Sequence, residues 1–516
     1  MTHHPVIHRL MSLPESWGSR DAFRTATTSL SFAQLQQTVL RSSAWLAGKF
    51  AAGPGDRIAF CLPKSIEAIQ IMFGILAAGA AYVPLPIHGP AIRQKQILDS
   101  VKPKLLIAAP ETAARLEREF GRADLPPIVR VPASEDGGGL DLLIRDRAPA
   151  SMIAGAAADD LSAIYYTSGS TGEPKGVMYS HRGLTAAVEA VARLCGMEES
   201  DRLISVSGLH YSSTAGVLYP LLRGCSCYLL DDRETMFAER IGAAMERDRT
   251  TIWLASATVW RLLAEAGQLE KRDFKSLRMV KLVGEPISIP LLRRSMAALP
   301  EAHFFNHYAA SEAFYIAEYE IAQAPDMALK ALPVGRPSDI YELSLRDDAG
   351  VPVAPGEVGE ICVVGPSVLK GYWNDAALTA AKRLPGIPDS FRTGDLASFS
   401  SDGLLHLAGR KDHIVKLRGN RFDLGEIEAV LRSHGAVREA VAFLSAAPGG
   451  EDVVTAVILA EESPSLMQEL RQLCRDRLPG FARPAAIQIA SQFPMSATGK
   501  VDRQAVKSAA LAGPRL

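Results

Sequence analysis

An apolar, strand-like segment runs into a loop of small and hydroxylated residues at Ile164-Tyr165-Tyr166-Thr167-Ser168-Gly169-Ser170-Thr171-Gly172-Glu173-Pro174-Lys175-Gly176-Val177. This composition suits the binding of polyphosphate. Gly169, Gly172 and Gly176 permit backbone shapes in which successive N–H groups converge on an anion. The hydroxyls of Thr167, Ser168, Ser170 and Thr171 add donors, and Lys175 can follow phosphate charge. The pattern is not a Walker A loop, which needs Gly-Lys-Ser/Thr opening a helix, whereas Lys175 is followed by Gly176 and Val177. Protein-kinase catalytic motifs are also missing. A flexible Ser/Gly linker would rarely follow an apolar strand or end in Pro-Lys-Gly.

Such a loop needs rigid elements to hold it. Residues 57–62 read as a buried strand, 66–78 as a helix and 81–85 as the next strand. Further apolar strands are expected at 105–108, 203–206, 226–230 and 251–254. Strands separated by helix-length segments imply mostly parallel α/β layers. The Gly-, Ala- and Asp-rich stretch 134–159 reads as a loop. From Ile340 the texture changes to antiparallel strands at 341–345, 359–364 and 404–407, joined by turns such as Asp347-Asp348-Ala349-Gly350. A compact α+β module starts near Gly409: a hairpin, a helix at 424–433, strands near 440–443 and 453–459, and a helix at 465–478.

At 516 residues, the chain is too long for one core, and at least two domains are expected. Its 56 basic and 57 acidic residues leave a net charge of -1, which argues against nucleic-acid binding by bulk electrostatics. The six cysteines are scattered without metal-ligand spacing, as buried reduced thiols would be. The N-terminus lacks the apolar core of a signal peptide, and no run is long enough to span a bilayer. A cytoplasmic enzyme is the expectation.

The segment Thr167 to Gly176 resembles the signature loop of the adenylate-forming superfamily, which includes acyl-CoA synthetases, aryl-acid ligases, luciferases and adenylation domains of nonribosomal peptide synthetases. Similar motifs recur in order along nearly the whole chain. They are Ala78–Leu85, Gly284-Glu285-Pro286, Asn306-His307-Tyr308-Ala309-Ala310-Ser311-Glu312, Gly365–Trp373, Arg392-Thr393-Gly394-Asp395, Gly409–Glu428 and Ser496–Arg503.

The resemblance implies a large N-terminal domain of layered α/β subdomains plus a β-rich subdomain (1–409), and a small mobile α+β C-terminal domain (410–516) with its hinge near Asp412. It implies ATP and Mg²⁺ as cofactors, Asp395 on the ribose hydroxyls, and Glu312 as the Mg²⁺ carboxylate. Tyr308 would flank the adenine, with Gly284, Glu285 and Pro286 on the other side. Asn306, His307 and Ser311 would also face the nucleotide, and Arg410 the ribose or phosphate. Lys500 is the catalytic candidate: a cation between the carboxylate and the α-phosphate offsets their repulsion in the transition state. Acid and ATP would give acyl-AMP and pyrophosphate, and a thiol would then displace AMP. Lys500 would block the thiol path, so the family rotates its C-terminal domain between steps, with Gly419 then facing the site.

The acid pocket is expected from His210, Tyr211, Ala215, Val283, His307 and Ala310. Amino-acid-activating relatives hold the substrate amine with an Asp near the position of Tyr211. The stretch Leu209–Leu218 contains no acid. An aryl acid, a fatty or short acyl acid, or an amino acid bound differently all remain open. His210 either orients the substrate carboxylate or is a packed core histidine. Pro86-Ile87 and Leu407 also depart from the usual family residues. No carrier-domain pattern follows Lys500, so the thiol is expected from free coenzyme A or from the phosphopantetheine arm of a separate carrier protein. The alternatives are a stand-alone amino-acid adenylation enzyme with non-standard amine recognition, an adenylate former with an oxygen or amine acceptor, and a silent nucleotide-binding relative.

Overall fold

A computed structural model describes residues 5–88, 91–132, 138–150, 155–168, 174–285, 287–329, 331–417, 420–446, 452–478, 480–495 and 501–513. Strands β1 (Asp21–Arg24) and β2 (Ser29–Ser31) precede the helix Phe32–Phe50, whose first turn is closed by a reciprocal cap between Ser31 and Gln34. Next come β3 (Arg57–Cys61), the helix Ile66–Ala77, β4 (Ala81–Pro84), β5 (Leu105–Ala108) and β6 (Ile128–Arg130). The helix Ile66–Ala77 is buried along its whole length, which explains its unbroken apolar run. At Gly74 a Cβ would stand 2.5 Å from Ser42 Cβ, so glycine permits the close crossing with the preceding helix.

Strands β7 (Leu161–Ser168) and β8 (Pro174–Ser180) form an antiparallel pair. They join β3–β6, which are parallel, in a seven-stranded sheet. Ser180 caps the helix His181–Leu194 by accepting from Gly183 N at 3.0 Å. A second sheet of nine strands collects β1 and β2 with β9 (Arg202–Ser205), β10 (Ser226–Leu229), β11 (Ile252–Ser256), β12 (Met279–Val283), β13 (His303–Ala310), β14 (Ala313–Glu320) and β15 (Arg336–Pro337). Lys64, just past β3, bridges the two sheets: its Nζ donates to the carbonyls of Ser205 and Ser207 at 2.8 and 3.1 Å. Burial pushes its ammonium down to about 8, against the pull of Asp232.

The β-rich part is a four-stranded antiparallel sheet of β16 (Glu342–Arg346), β17 (Gly359–Val364), β19 (Ser390–Phe399) and β20 (Leu405–Arg410); β18 (Gly371–Tyr372) pairs instead with β8. The hairpin β21 (Ile414–Leu417) and β22 (Asn420–Asp423) leads to the C-terminal domain, where β23 (Val437–Ala446), β24 (Asp452–Ala460) and β25 (Ala486–Ala490) form one sheet. Its core is separate. Leu424, Ile427 and Leu431 of the helix Leu424–Arg432 pack with Ala440, Ala442 and Val454. The apolar positions recur at three- and four-residue intervals, as one helix face requires.

The expected layering is therefore present: a large N-terminal α/β domain with a β-rich part, and a small C-terminal α+β domain. One local expectation fails. The stretch 134–159 is not all loop, because it contains the helix Gly138–Ile144. Leu140 and Ile144 are fully buried, and Leu140 N donates to Glu67 Oε1 at 2.9 Å. The Gly- and Asp-rich composition obscured this single i,i+4 apolar pair. All six cysteines are free and buried. Among the described residues, no helix is long and apolar enough to cross a membrane.

Candidate functional site

Residues 169–173, between β7 and β8 in sequence, lie outside the described residues, and with them the expected phosphate ligands Gly169, Ser170, Thr171 and Gly172. The strands that flank them are well defined. Thr167 faces Lys175 across the pair, Ser168 faces Pro174, and Arg93 donates to the Thr167 carbonyl at 3.3 Å. Gly176 is required by packing: a Cβ there would lie 3.0 Å from Ile164, Tyr166 and Trp373 side-chain atoms.

Beside this hairpin stands the tip of the β13–β14 hairpin, where Ser311 and Glu312 turn the chain. Tyr179 on β8 donates its hydroxyl to the Ser311 carbonyl, tying the two hairpins together. Tyr372 donates to Glu312 Oε1 at 2.9 Å. Burial pushes the Glu312 carboxyl up, and the Tyr372 hydrogen bond opposes that shift. A half-buried carboxylate of this kind has the chemistry to hold Mg²⁺, which commonly takes one or two carboxylates plus phosphate oxygens.

Asp395 on β19 sits directly opposite Arg410 at the end of β20. Arg410 Nη1 donates to Asp395 Oδ1 at 2.7 Å, and the buried Tyr308 donates its hydroxyl to Oδ2. Asp395 N donates to Thr393 Oγ1 at 3.0 Å. A carboxylate has about four acceptor positions, so a ribose diol can still bind here. Burial and the adjoining Asp395 both push the Tyr308 phenol well up, keeping it a donor. Gly284 adopts φ +90°, a shape that favours glycine, and the next residue, Glu285, accepts from Thr258 Oγ1. Pro286 lies outside the described residues. Asn306 is engaged elsewhere: its amide donates to the Pro333 carbonyl at 2.8 Å. The sequence reading quoted Tyr372 and Thr393 inside motifs but gave them no role. Glu360 was missed altogether: it accepts from Gly394 N at 3.1 Å and from Arg392 at 2.7 Å, and so holds the turn before Asp395.

On the acid side, His210 and Tyr211 stack with ring centroids 4.1 Å apart, just before the 3-10 helix Ser212–Leu218 that buries Ala215. Burial raises the Tyr211 phenol. Ser212 Oγ donates to Ser311 Oγ at 3.4 Å, which connects this turn to the Glu312 corner next to Ala310. Val283 and His307 are register partners on β12 and β13. Behind them the sequence reading missed three residues, Lys281, Tyr315 and Glu318. Lys281 is fully buried and donates to Glu318 at 2.7 Å. A lysine in an otherwise apolar strand, Met279–Val283, was the available signal.

At the C-terminal end, Asp412 falls in the 3-10 turn Lys411–His413, and its side chain is outside the described set, as are Gly419 and Lys500. The flanks of Lys500 are fixed: Met495 bridges Val501, and Arg503 Nη1 pairs with Glu428 Oε2 at 2.8 Å. Lys411 pairs with Asp348 at 2.8 Å and with Glu360 at 3.4 Å.

These features can be set beside known proteins. Residues 14–373 match the family model described as AMP-binding enzyme, and residues 426–500 match the AMP-binding enzyme C-terminal domain. The chain is 33% identical to tyrocidine synthase 3 of Brevibacillus parabrevis over 450 residues, 86% of this chain and 7% of that one. It is 31% identical to phenyloxazoline synthase MbtB of Mycolicibacterium paratuberculosis over 483 residues, 92% of this chain and 40% of that one. It thus spans less than half the length of these relatives. Among solved structures, it is similar to the anthranilate CoA ligase AuaEII in complex with anthranoyl-AMP, with a TM-score of 0.86, 23% identity, and 99% and 98% of the two chains covered. The amide bond synthetase McbA from Marinactinospora thermotolerans gives a TM-score of 0.82 at 26% identity, with 98% of each chain covered.

Proposed function

The chain belongs to the AMP-binding enzyme family of adenylate-forming enzymes, and on that premise we propose that it activates a carboxylic acid with ATP and Mg²⁺ and passes the acyl group to a phosphopantetheine thiol. The observation that carries this reading is the Tyr308–Asp395–Arg410 array facing the β7–β8 hairpin, with Glu312 and Tyr372 between them. On this reading Asp395 would accept the ribose hydroxyls and Glu312 would be the metal carboxylate.

In the first step, a carboxylate oxygen of the acid attacks the α-phosphorus of ATP, and the bond to the β-phosphate oxygen breaks. Acyl-AMP forms and pyrophosphate leaves. Lys175, Thr167 and Ser168 with the loop that follows would hold the phosphates. Asp395 and Arg410 would fix the ribose. Tyr308, Gly284, Glu285 and Pro286 would enclose the adenine. Glu312 would hold Mg²⁺, which neutralises phosphate charge. Lys500 would bridge the two approaching anions. In the second step, a thiolate attacks the acyl carbon and AMP leaves as the thioester forms. Residues 410–516 would turn about Asp412 between the steps, removing Lys500 and presenting Gly419.

The names of fold neighbours that are CoA ligases support coenzyme A as the thiol, and a carrier protein's phosphopantetheine arm is the alternative. The test is acid-dependent ATP–pyrophosphate exchange over aryl, acyl and amino acids, followed by thioester formation with coenzyme A or a carrier protein. Exchange with no acid by folded, ATP-binding protein would remove the reading. A thioester with neither thiol would confine it to the first step.

A further inference from the structure

Glu312 stands in the turn of the β13–β14 hairpin, and a segment outside that hairpin, residues 368–372, holds it. Val368 bridges Ala313, and Leu369 N donates to the Glu312 carbonyl at 2.8 Å. Three residues on, the Tyr372 hydroxyl donates to Glu312 Oε1 at 2.9 Å. One short stretch therefore fixes both the backbone and the side chain of a single acid.

Tyr372 is itself held. It is 5% exposed, and β18 pairs it with Val177 on β8. Its N–H donates to Thr379 Oγ1 at 2.9 Å, on the helix Ala376–Ala381. On either side of it, Lys370 N donates to the Met178 carbonyl and Trp373 N to that of Gly176, both at 2.7 Å. A buried ring on a backbone tied down at each end delivers its hydroxyl to one point.

Occupying one oxygen decides how the carboxylate can meet a cation. Tyr372 takes Oε1, and among the described residues no other side chain hydrogen-bonds this carboxylate, although the backbone N–H of Glu312 itself does. A carboxylate has about four acceptor positions, so Oε2 keeps capacity. A half-buried acid in this state fits an ion that takes one carboxylate oxygen together with phosphate oxygens. Mg²⁺ is such an ion, small and strict in its octahedral geometry. Ca²⁺ is larger, gathers more oxygens and accepts carboxylates through both atoms. Presenting a single oxygen suits the first ion and withholds a ligand from the second.

We propose that Tyr372 is a positioning residue that makes Glu312 a one-oxygen ligand, and so sets a preference for Mg²⁺ over Ca²⁺ in the nucleotide site. The proposal rests on the adenylation reading above, with Glu312 as the metal carboxylate.

The experiment is calorimetric binding of ATP to the full chain with Mg²⁺, with Ca²⁺ or with neither, which needs no turnover. The parent should bind ATP more tightly with Mg²⁺ than with Ca²⁺. Tyr372→Phe removes only the hydroxyl, keeps the ring and β18, and frees Oε1. The ratio of the two dissociation constants should then move towards Ca²⁺ by about tenfold, the scale of one hydrogen bond to a charged group. Thr379→Val loosens the backbone of the same strand but keeps the hydroxyl, and its ratio should match the parent's. The parent ratio in folded Tyr372→Phe protein would overturn the proposal, as would an equal shift in Thr379→Val, which would make the effect one of packing. Equal affinity with the two ions in the parent would overturn it too. No gain from either ion would also remove Glu312 from its metal role, while acid-dependent pyrophosphate exchange by the same protein would keep the adenylation reading.

Discussion

The two sides of the cleft are built differently. On the nucleotide side, charged groups sit at strand ends and turns: Asp395 against Arg410, and Glu312 at a hairpin tip. On the proposed reading they would meet a ligand of fixed chemistry. On the acid side, the charged groups lie within strands and are paired with each other, as Lys281 is with Glu318. Phosphate, ribose and adenine never change, so one set of residue types serves them. The acid does change, so the residues that would meet it need no common motif. The first kind of site announces itself by motif. The second is hidden inside ordinary strand sequence.

This contrast can be broken at several points. The largest effect is expected from Glu318→Leu, which strands a fully buried lysine and should lower stability by about 3–5 kcal/mol in denaturant titrations. Adding Lys281→Met should recover most of that loss, and a single variant as stable as the parent would end the claim of a charge-balanced pair. Lys500→Ala comes next, with acyl-AMP formation falling on the order of 10² to 10³-fold while ATP binding persists.

A pH effect of about 3 kcal/mol is expected from His181, on the helix that packs against β14. Burial pushes its imidazole down to about 4, with Asp160 opposing. Between about pH 6.5 and 4 the unfolded chain takes up a proton that the folded chain refuses. Stability should therefore fall with acidification through that window and be flat above it, and His181→Gln should remove this component of the acid unfolding curve. Asp395→Ala should weaken ATP by about 1.5–3 kcal/mol in KM and leave the KM for the acid unchanged. An equal change in both constants would mean that the two sides are coupled. The smallest effect, under about 1 kcal/mol, is expected from Lys411→Ala, whose partly exposed pairs with Asp348 and Glu360 are screened by solvent.

Most of the architecture was legible because strand and helix periods are local properties. Residues 57–62, 66–78 and 359–364 fall almost on observed elements. The helix Gly138–Ile144 was not legible, since two apolar residues among Gly and Asp give no period to read. In the candidate site, Tyr308 and Arg410 both hydrogen-bond Asp395, and Glu312 lies at the tip of the hairpin that carries Tyr308. Tyr372 was quoted without a role because its partner Glu312 is sixty positions away in sequence. Glu318 was missed because its meaning depends on register: only once β13 and β14 are paired does it stand opposite His307.

That register has a consequence for how such an enzyme can change. One hairpin carries Glu312, the proposed metal carboxylate, at its tip and the buried neighbours His307 and Glu318 along its stem. A one-residue insertion in either strand would turn every stem side chain to the opposite face. It would exchange the face carrying His307 and Glu318 for the one carrying Phe304 and Ala317, which is also buried, and shift Glu312 at the same stroke. This hairpin therefore tolerates substitution at constant length far better than insertion, which would move the buried stem and Glu312 together.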